Sequence, residues 1–141
     1  MLLREVATYR YHVYAVCGFP GEEECEVEKF LQEHQDSYPK AMKDLNTALR
    51  NWTPQHGPPF VDERAKRLRD GICEFRAREK RQKKLPRILF FEDSMRIICT
   101  NTFFKEGSTP DHEIERAIEI RTDYFRQSFV EHRILRGWAL P

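Results

Sequence analysis

Arg76 lies on the polar face of a run that reads as a β-strand, Arg87 opens the next such run, and Lys105 follows the last of them. If those strands are neighbours, the three cations converge on one concave face. A guanidinium presents a planar fork that donates two parallel hydrogen bonds to a phosphate, and an ammonium group supplies a compact positive charge beside it. The chemistry that suits such a trio is the holding of a phosphodiester. A wider bias surrounds them. From Arg64 to Arg87 there are eleven basic and three acidic residues, a net +8 in a chain whose formal total is +1, so the remainder carries −7. A chain polarised in this way attracts a polyanion with one face despite near-neutral total charge. Within the span, Arg78, Lys80, Arg81, Lys83 and Lys84 read as a basic loop between two strands, suited to nonspecific, salt-sensitive contacts with RNA phosphates. The plainer readings are a solvated hairpin tip for the loop, and surface cations or ion-pair partners of Glu74, Glu79 and Glu106 for the trio.

Other reactive side chains carry weaker signals. His112 lies near Lys105 in sequence and is of the type that transfers protons near neutral pH. It also falls at the start of a helix, where the dipole disfavours its protonated form, so an exposed polar role competes. Tyr124 reads as a core residue in preference to a base-stacking one. The four cysteines, Cys17, Cys25, Cys73 and Cys99, form no C-x-x-C pair, and the spacing of Cys17 and Cys25 is not a usual zinc spacing. Buried free thiols are expected, with no metal and no cofactor.

The elements that must position these groups follow from periodicity. Tyr9 to Cys17 alternates and is rich in aromatic and β-branched residues, which predicts a strand. Glu22 to Gln35 is helical in pattern, with Val27, Phe30 and Leu31 on one face and acids in the first turn. Ser37 to Trp52 is a second helix with Ala41, Met42, Leu45, Ala48, Leu49 and Trp52 as its stripe. The short link between them predicts an antiparallel hairpin. Three strands follow: Gly71 to Arg78, with Cys73, Phe75 and Ala77 on one face and Glu74, Arg76 and Arg78 on the other; the apolar Arg87 to Phe91; and Met95 to Phe104. Their short connections favour an antiparallel meander. Thr109 as N-cap and Pro110 at the first position open a last helix, with Ile114, Ala117, Ile118, Arg121, Phe125 and Phe129 as its stripe. The expectation is an α+β domain of order β-α-α-β-β-β-α, with one antiparallel sheet, an N-terminal helical hairpin and a C-terminal helix.

The 141 residues suit one domain with a real core, and charged residues make up 33% of them, a surface suited to cover by a partner. No apolar run approaches the roughly 20 residues a bilayer requires, and Arg4, Glu5, Arg10 and His12 interrupt any leader-like stretch. A cytoplasmic location is expected.

Five blocks of the chain resemble the RelE/ParE toxin superfamily, and within it the phage-derived HigB-like type II toxins. Leu68-Arg-Asp-Gly-Ile-Cys-Glu-Phe-Arg76 is similar to the family's "K-L-x-D-G-L-x-E-L-R" block, and Arg87-Ile-Leu-Phe-Phe91 to its "R-V-L-Y-F" strand. Phe104-Lys-Glu-Gly-Ser-Thr-Pro110 with Glu113-Ile-Glu-Arg-Ala-Ile118 is similar to "F-x-K-K-t-x-x-T-P-x-x-E-I-x-x-A". Val27-Glu-Lys-Phe-Leu31 and His56-Gly-Pro-Pro59 look like "V-x-x-F-L" and "H-G-P-P". The blocks occur in one order over roughly residues 9 to 127, leaving 128 to 141 as a tail of open structure.

The resemblance implies a RelE-like domain that enters the ribosomal A site and cuts mRNA without a metal. The ribose 2′-OH attacks the adjacent phosphorus, giving a 2′,3′-cyclic phosphate and a 5′-hydroxyl. On that footing Arg76 and Arg87 hold and stabilise the phosphorane, and Lys105 neutralises charge or assists proton transfer. The family's second lysine is Glu106 here, a reversal of charge that makes Glu106 either a proton acceptor or a partner that blunts Lys105. The implied partners are the ribosome, mRNA and a cognate antitoxin with a helix-turn-helix domain, through which alone operator DNA is met. The competing expectations are a noncatalytic binding module of the same fold and a ParE-like gyrase inhibitor.

Overall fold

Asp70 and Gly71 both take positive φ, 54° and 78°. The Ile72 amide donates to the Arg69 carbonyl at 2.9 Å and the Leu68 amide to the Ile72 carbonyl at 2.9 Å. This is the Asp-Gly hairpin turn whose backbone twist matches that of the strands it joins. A Cβ on Gly71 would also come within 3.0 Å of the Arg121 guanidinium. The computed structural model describes residues 2–8, 12–18, 25–51, 65–77, 84–94, 96–126 and 130–132. Along them run β1 (Leu2–Thr8), β2 (His12–Gly18), α1 (Glu26–Glu33), α2 (Pro39–Asn51), β3 (Ala65–Arg67), β4 (Cys73–Arg76), β5 (Leu85–Asp93), β6 (Arg96–Lys105), α3 (Asp111–Arg126) and β7 (Val130–His132).

The strands form one sheet of order β3-β4-β5-β6-β2-β1-β7. β3 to β6 are an antiparallel meander, as the short connections require. The sheet as a whole is mixed, which corrects the expectation of an antiparallel one: β2 lies parallel to β6, and β7 parallel to β1. The reason is topological. β2 reaches the meander only through the long helical connection, and such crossovers permit parallel neighbours. The chain is α+β, but β1, β3 and β7 lie outside the expected order. β1 and β7 flank stretches with weak alternation, and β3 is only three residues long.

Alternation places two apolar layers on the sheet. Val13, Ala15, Phe75, Ile88, Phe90, Ile97 and Cys99 meet Val27, Phe30, Leu31, Met42, Leu45 and Leu49 of the α1–α2 hairpin. On the other face, Tyr14, Leu89, Phe91, Ile98 and Phe103 meet Ile114, Ala117 and Tyr124 of α3. Both helices of the hairpin therefore bury the described part of the stripes read from their periodicity, Trp52 lying outside the described residues. Ile114 and Ala117 of the expected α3 stripe are buried, with Ile118 packed beside them, but the last turn departs from it, and Phe129 lies outside the described residues. Tyr124 is buried and donates to Asp93 Oδ2 at 2.6 Å, whereas Phe125 is 61% exposed. The Tyr124 ring fills the layer while its hydroxyl reaches a carboxylate, a combination phenylalanine cannot offer.

One irregularity decides which way the end of β6 faces. Ile88 pairs with Thr102 and Phe90 with Cys99, so Leu89 alone opposes both Thr100 and Asn101. This is a β-bulge. Before it, the odd-numbered Ile97 and Cys99 face the hairpin; after it, Thr102 and Phe104 do. Thr102 bonds Glu26 of α1 through its amide at 2.5 Å and its hydroxyl at 3.0 Å, and Phe104 packs on Phe30, His34 and Tyr38. Phe103 and Lys105 are thereby carried to the α3 face. Asn101 tethers the bulge: its Nδ2 donates to the Glu113 carbonyl and to Glu113 Oε1, both at 3.2 Å, and its Oδ1 accepts from Thr100 at 2.7 Å. We expect Asn101→Ala to cost about 1–3 kcal/mol, because buried groups lose their partners. Urea titration checks it, and a loss below about 0.5 kcal/mol, the range of neutral surface changes, would mean that the tether is not what holds the bulge.

Candidate functional site

On β4 the residues alternate between the two layers, so Glu74 and Arg76 face α3 while Cys73 and Phe75 face the hairpin. β5 brings Arg87 directly opposite Arg76. β3 brings Lys66 opposite Glu74. The bulge brings Lys105 to the same face. The three residues expected to converge, Arg76, Arg87 and Lys105, are thus assembled on one side of three adjacent strands.

At the centre of this group is Glu74, which the sequence offers only as one possible ion-pair partner. Glu74 is 0% exposed, and Arg87 is 5% exposed. Glu74 Oε1 lies 3.5 Å from Arg87 Nε and 3.7 Å from Lys105 Nζ, whose side chain is 13% exposed. Glu74 Oε2 accepts a hydrogen bond from Thr109 Oγ1 at 2.9 Å. Arg87 Nη1 donates to the Pro86 carbonyl at 2.9 Å. The two ion pairs are longer than good hydrogen bonds, and both Glu74 Oε1 and Arg87 Nε are buried with no hydrogen-bond partner. The ion-pair reading of Arg87 and Lys105 is therefore correct as geometry, with Glu74 as the carboxylate.

Thr109 also departs from expectation. The Glu113 and Ile114 amides bond the Pro110 carbonyl, so the helix opens one residue later than Thr109 as N-cap would place it. The Thr109 hydroxyl is spent on Glu74 because a buried carboxylate oxygen demands a donor more than a solvent-facing helix end does.

Electrostatics divide the cations. Burial pulls Arg87 below its ordinary range; Glu74 opposes this and Arg76 adds to it. Burial likewise lowers Lys105, Glu74 again opposes, and Arg87, Lys66 and Arg76 add to the lowering. Among the described residues, Glu74 is thus the only group acting to keep protons on the two inner cations. Of the basic loop, Lys84 is described and exposed; Arg78, Lys80, Arg81 and Lys83 lie outside the described residues, as does the His56 to Pro59 landmark. Glu106 is exposed. The carboxylate paired with Lys105 is Glu74. His112 is 80% exposed in its side chain, 3.9 Å from Glu113 Oε2, and is not brought into the cluster. Sequence could have pointed to Glu74 through one signal: an acid alternating with Cys73 and Phe75 beside Arg76 on a strand inside a meander.

A concavity of about 430 Å³ lies toward the other end of β4, lined by Arg67, Gly71, Cys73, Phe91, Arg121 and Phe125 among others. It shares no lining residue with the cation cluster. Cys25, Cys73 and Cys99 are buried and not disulfide-bonded; the side chain of Cys17 lies outside the described residues. No helix among the described residues is long and apolar enough to cross a membrane. Comparison with protein-family models, with curated proteins and with solved structures finds no match.

Burial pushes the Cys73 thiol up to about 11, with Glu92 adding and Arg67 opposing. A thiol raised on folding contributes stability that is fully present below its unfolded pKa of about 8.5 and is lost as pH rises toward 11. We expect alkylation of native Cys73 at pH 8 to be on the order of a hundredfold slower than in urea-unfolded chain, since the thiolate is the nucleophile. Mass spectrometry after iodoacetamide treatment reads this, and equal native and unfolded rates would contradict it.

Proposed function

We propose that the chain is the toxin of a type II toxin-antitoxin system, a cytoplasmic, HigB-like member of the RelE/ParE superfamily that cuts mRNA on the ribosome. The observation that carries this reading is the convergence of Arg76, Arg87 and Lys105 on one sheet face, beside the start of α3. The five sequence blocks give that convergence its family context, and three of them carry the trio: the Asp-Gly hairpin leads into Arg76, the Arg87 to Phe91 block supplies Arg87, and the block that begins at the end of β6 supplies Lys105 with Thr109.

In this reading the 2′-OH attacks the adjacent phosphorus, and negative charge accumulates on the equatorial oxygens. Arg76 and Arg87 stabilise that charge, and Lys105 neutralises it or moves a proton. Cationic groups held in a poorly hydrated wall act more strongly than the same groups in water. Lys84 and its loop track ribosomal RNA. The partners are the ribosome, mRNA and a helix-turn-helix antitoxin, and no metal or cofactor takes part. Glu106 and His112, both exposed, remain the candidates for proton transfer.

One observation favours a second reading, a noncatalytic module of the same fold. Arg87 is nearly enclosed and committed to Glu74, which suits a structural ion pair as well as a phosphate ligand.

Primer extension on a reporter mRNA, translated or without ribosomes, separates the two. We expect cuts only on the translated message, and a fall of about 10²–10³-fold for Arg76→Ala or Lys105→Ala, the size of losing one electrostatic stabiliser. Uncut message from folded protein, with Glu106→Lys still inactive, would leave the binding module.

A further inference from the structure

Phosphate chemistry asks for cations, and the cluster is nonetheless organised around a carboxylate. Glu74 has no exposed surface, so it cannot meet a 2′-OH and is not a general base. Its two oxygens do different things. Oε2 is fixed by Thr109, immediately before Pro110 and α3, while Oε1 faces Arg87 and Lys105 at 3.5 and 3.7 Å. Arg76 and Arg87 sit directly opposite each other in the β4–β5 register, where like charges repel, and Lys66 faces Glu74 from β3. Glu74 stands amid these four cations, and its Oε1 lies against two of them, Arg87 and Lys105.

We propose that Glu74 is a positioning residue: anchored through Thr109 to the start of α3, it holds Arg87 and Lys105 in a shared orientation toward an RNA phosphodiester. This rests on the reading of the cation face as an RNA site and deepens it. The groups facing Lys105 are Glu74, Arg87, Lys66 and Arg76, and Glu74 alone among them favours its charged form. Loss of the carboxylate therefore lets Lys105 lose its proton at lower pH, as well as freeing its side chain. Thr109 passes the same constraint to α3, so Thr109→Val acts in the same direction as Glu74→Gln and more gently.

The test follows Lys105 by NMR of protein carrying ¹³Cε-lysine, its signal assigned by its disappearance in Lys105→Arg. The probe is a short, uncleavable 2′-O-methyl RNA, and cleavage of translated mRNA is measured alongside. In the wild type, RNA shifts the Lys105 signal. In Glu74→Gln we expect Lys105 to titrate at lower pH and its response to RNA to be lost. Cleavage should fall about a hundredfold in kcat with little change in KM, the size expected of misplaced groups, and Glu74→Asp should recover part of it. Thr109→Val, which carries the test should Glu74→Gln not fold, should show intermediate changes. A Lys105 whose titration and RNA response are unchanged in the folded variants overturns the positioning role alone. A wild-type Lys105 indifferent to RNA sinks the RNA reading, and this proposal with it.

Discussion

A carboxylate with no exposed surface is tolerated in a small domain only with charges and donors close around it, and Glu74 is that case. Its partners come from three places in the chain: Arg87 from β5, Lys105 from the end of β6, and Thr109 from the segment that enters α3. Each partner requires its element to be in register. A one-residue slip of β4 against β5 would turn Glu74 into the hairpin layer among Phe90 and Ile88, where no cation waits. The buried ion cluster and the strand register therefore specify one another, and the apolar layers on either side supply the net stability that a buried ion pair by itself does not.

The bulge at Thr100 and Asn101 is the second half of that arrangement. A regular strand would keep every odd-numbered residue of β6 with Ile97 and Cys99, and Lys105 would then lie against α1 and α2. One inserted residue reverses the alternation. It also opens the β2 side of the strand, because the pairing with β2 ends at Ala15 and Cys99. Glu26 of α1 takes up the Thr102 amide there, and Arg116 of α3 reaches the other Glu26 oxygen at 2.6 Å. The same irregularity that aims Lys105 thus lets the helices on opposite faces touch through one carboxylate.

These two features mark where sequence reading stopped. The helical hairpin and the meander were legible because their apolar spacing follows the 3.6 and 2 periods that burial enforces. The convergence of Arg76, Arg87 and Lys105 was legible only as a consequence of neighbouring strands and the family-like blocks. The parity change was not, since Ile97-Ile-Cys99 and Phe103-Phe104 are apolar at both odd and even positions, and the polar Thr100-Asn101-Thr102 between them shows no alternation to read. Glu74 was seen on a polar strand face, but strand alternation cannot tell a solvated face from one roofed by a helix. Thr109 was read as a cap because Thr-Pro before acids is a helix start; its preference for Glu74 depends on a carboxylate 35 residues earlier in the chain. The burial of Tyr124 in place of Phe125 goes with its hydrogen bond to Asp93, at the end of β5, a partner no helical period shows.

The charge asymmetry acquires a structural meaning once the cluster is seen as layered. Arg87 and Lys105 are inner cations with a carboxylate of their own, whereas Lys66 and Lys84 are exposed. Inner charges keep their orientation whatever the ionic strength, because burial shields them from screening. Exposed charges draw a polyanion from a distance and lose that pull as salt rises. On the proposed RNA reading, such layering separates attraction from alignment: exposed lysines set how often a phosphate chain arrives, and the carboxylate-held pair sets how it is met. In the proposed toxin those are different steps, encounter with the ribosome and geometry at the scissile bond. A single undivided patch of exposed lysines could provide only the first.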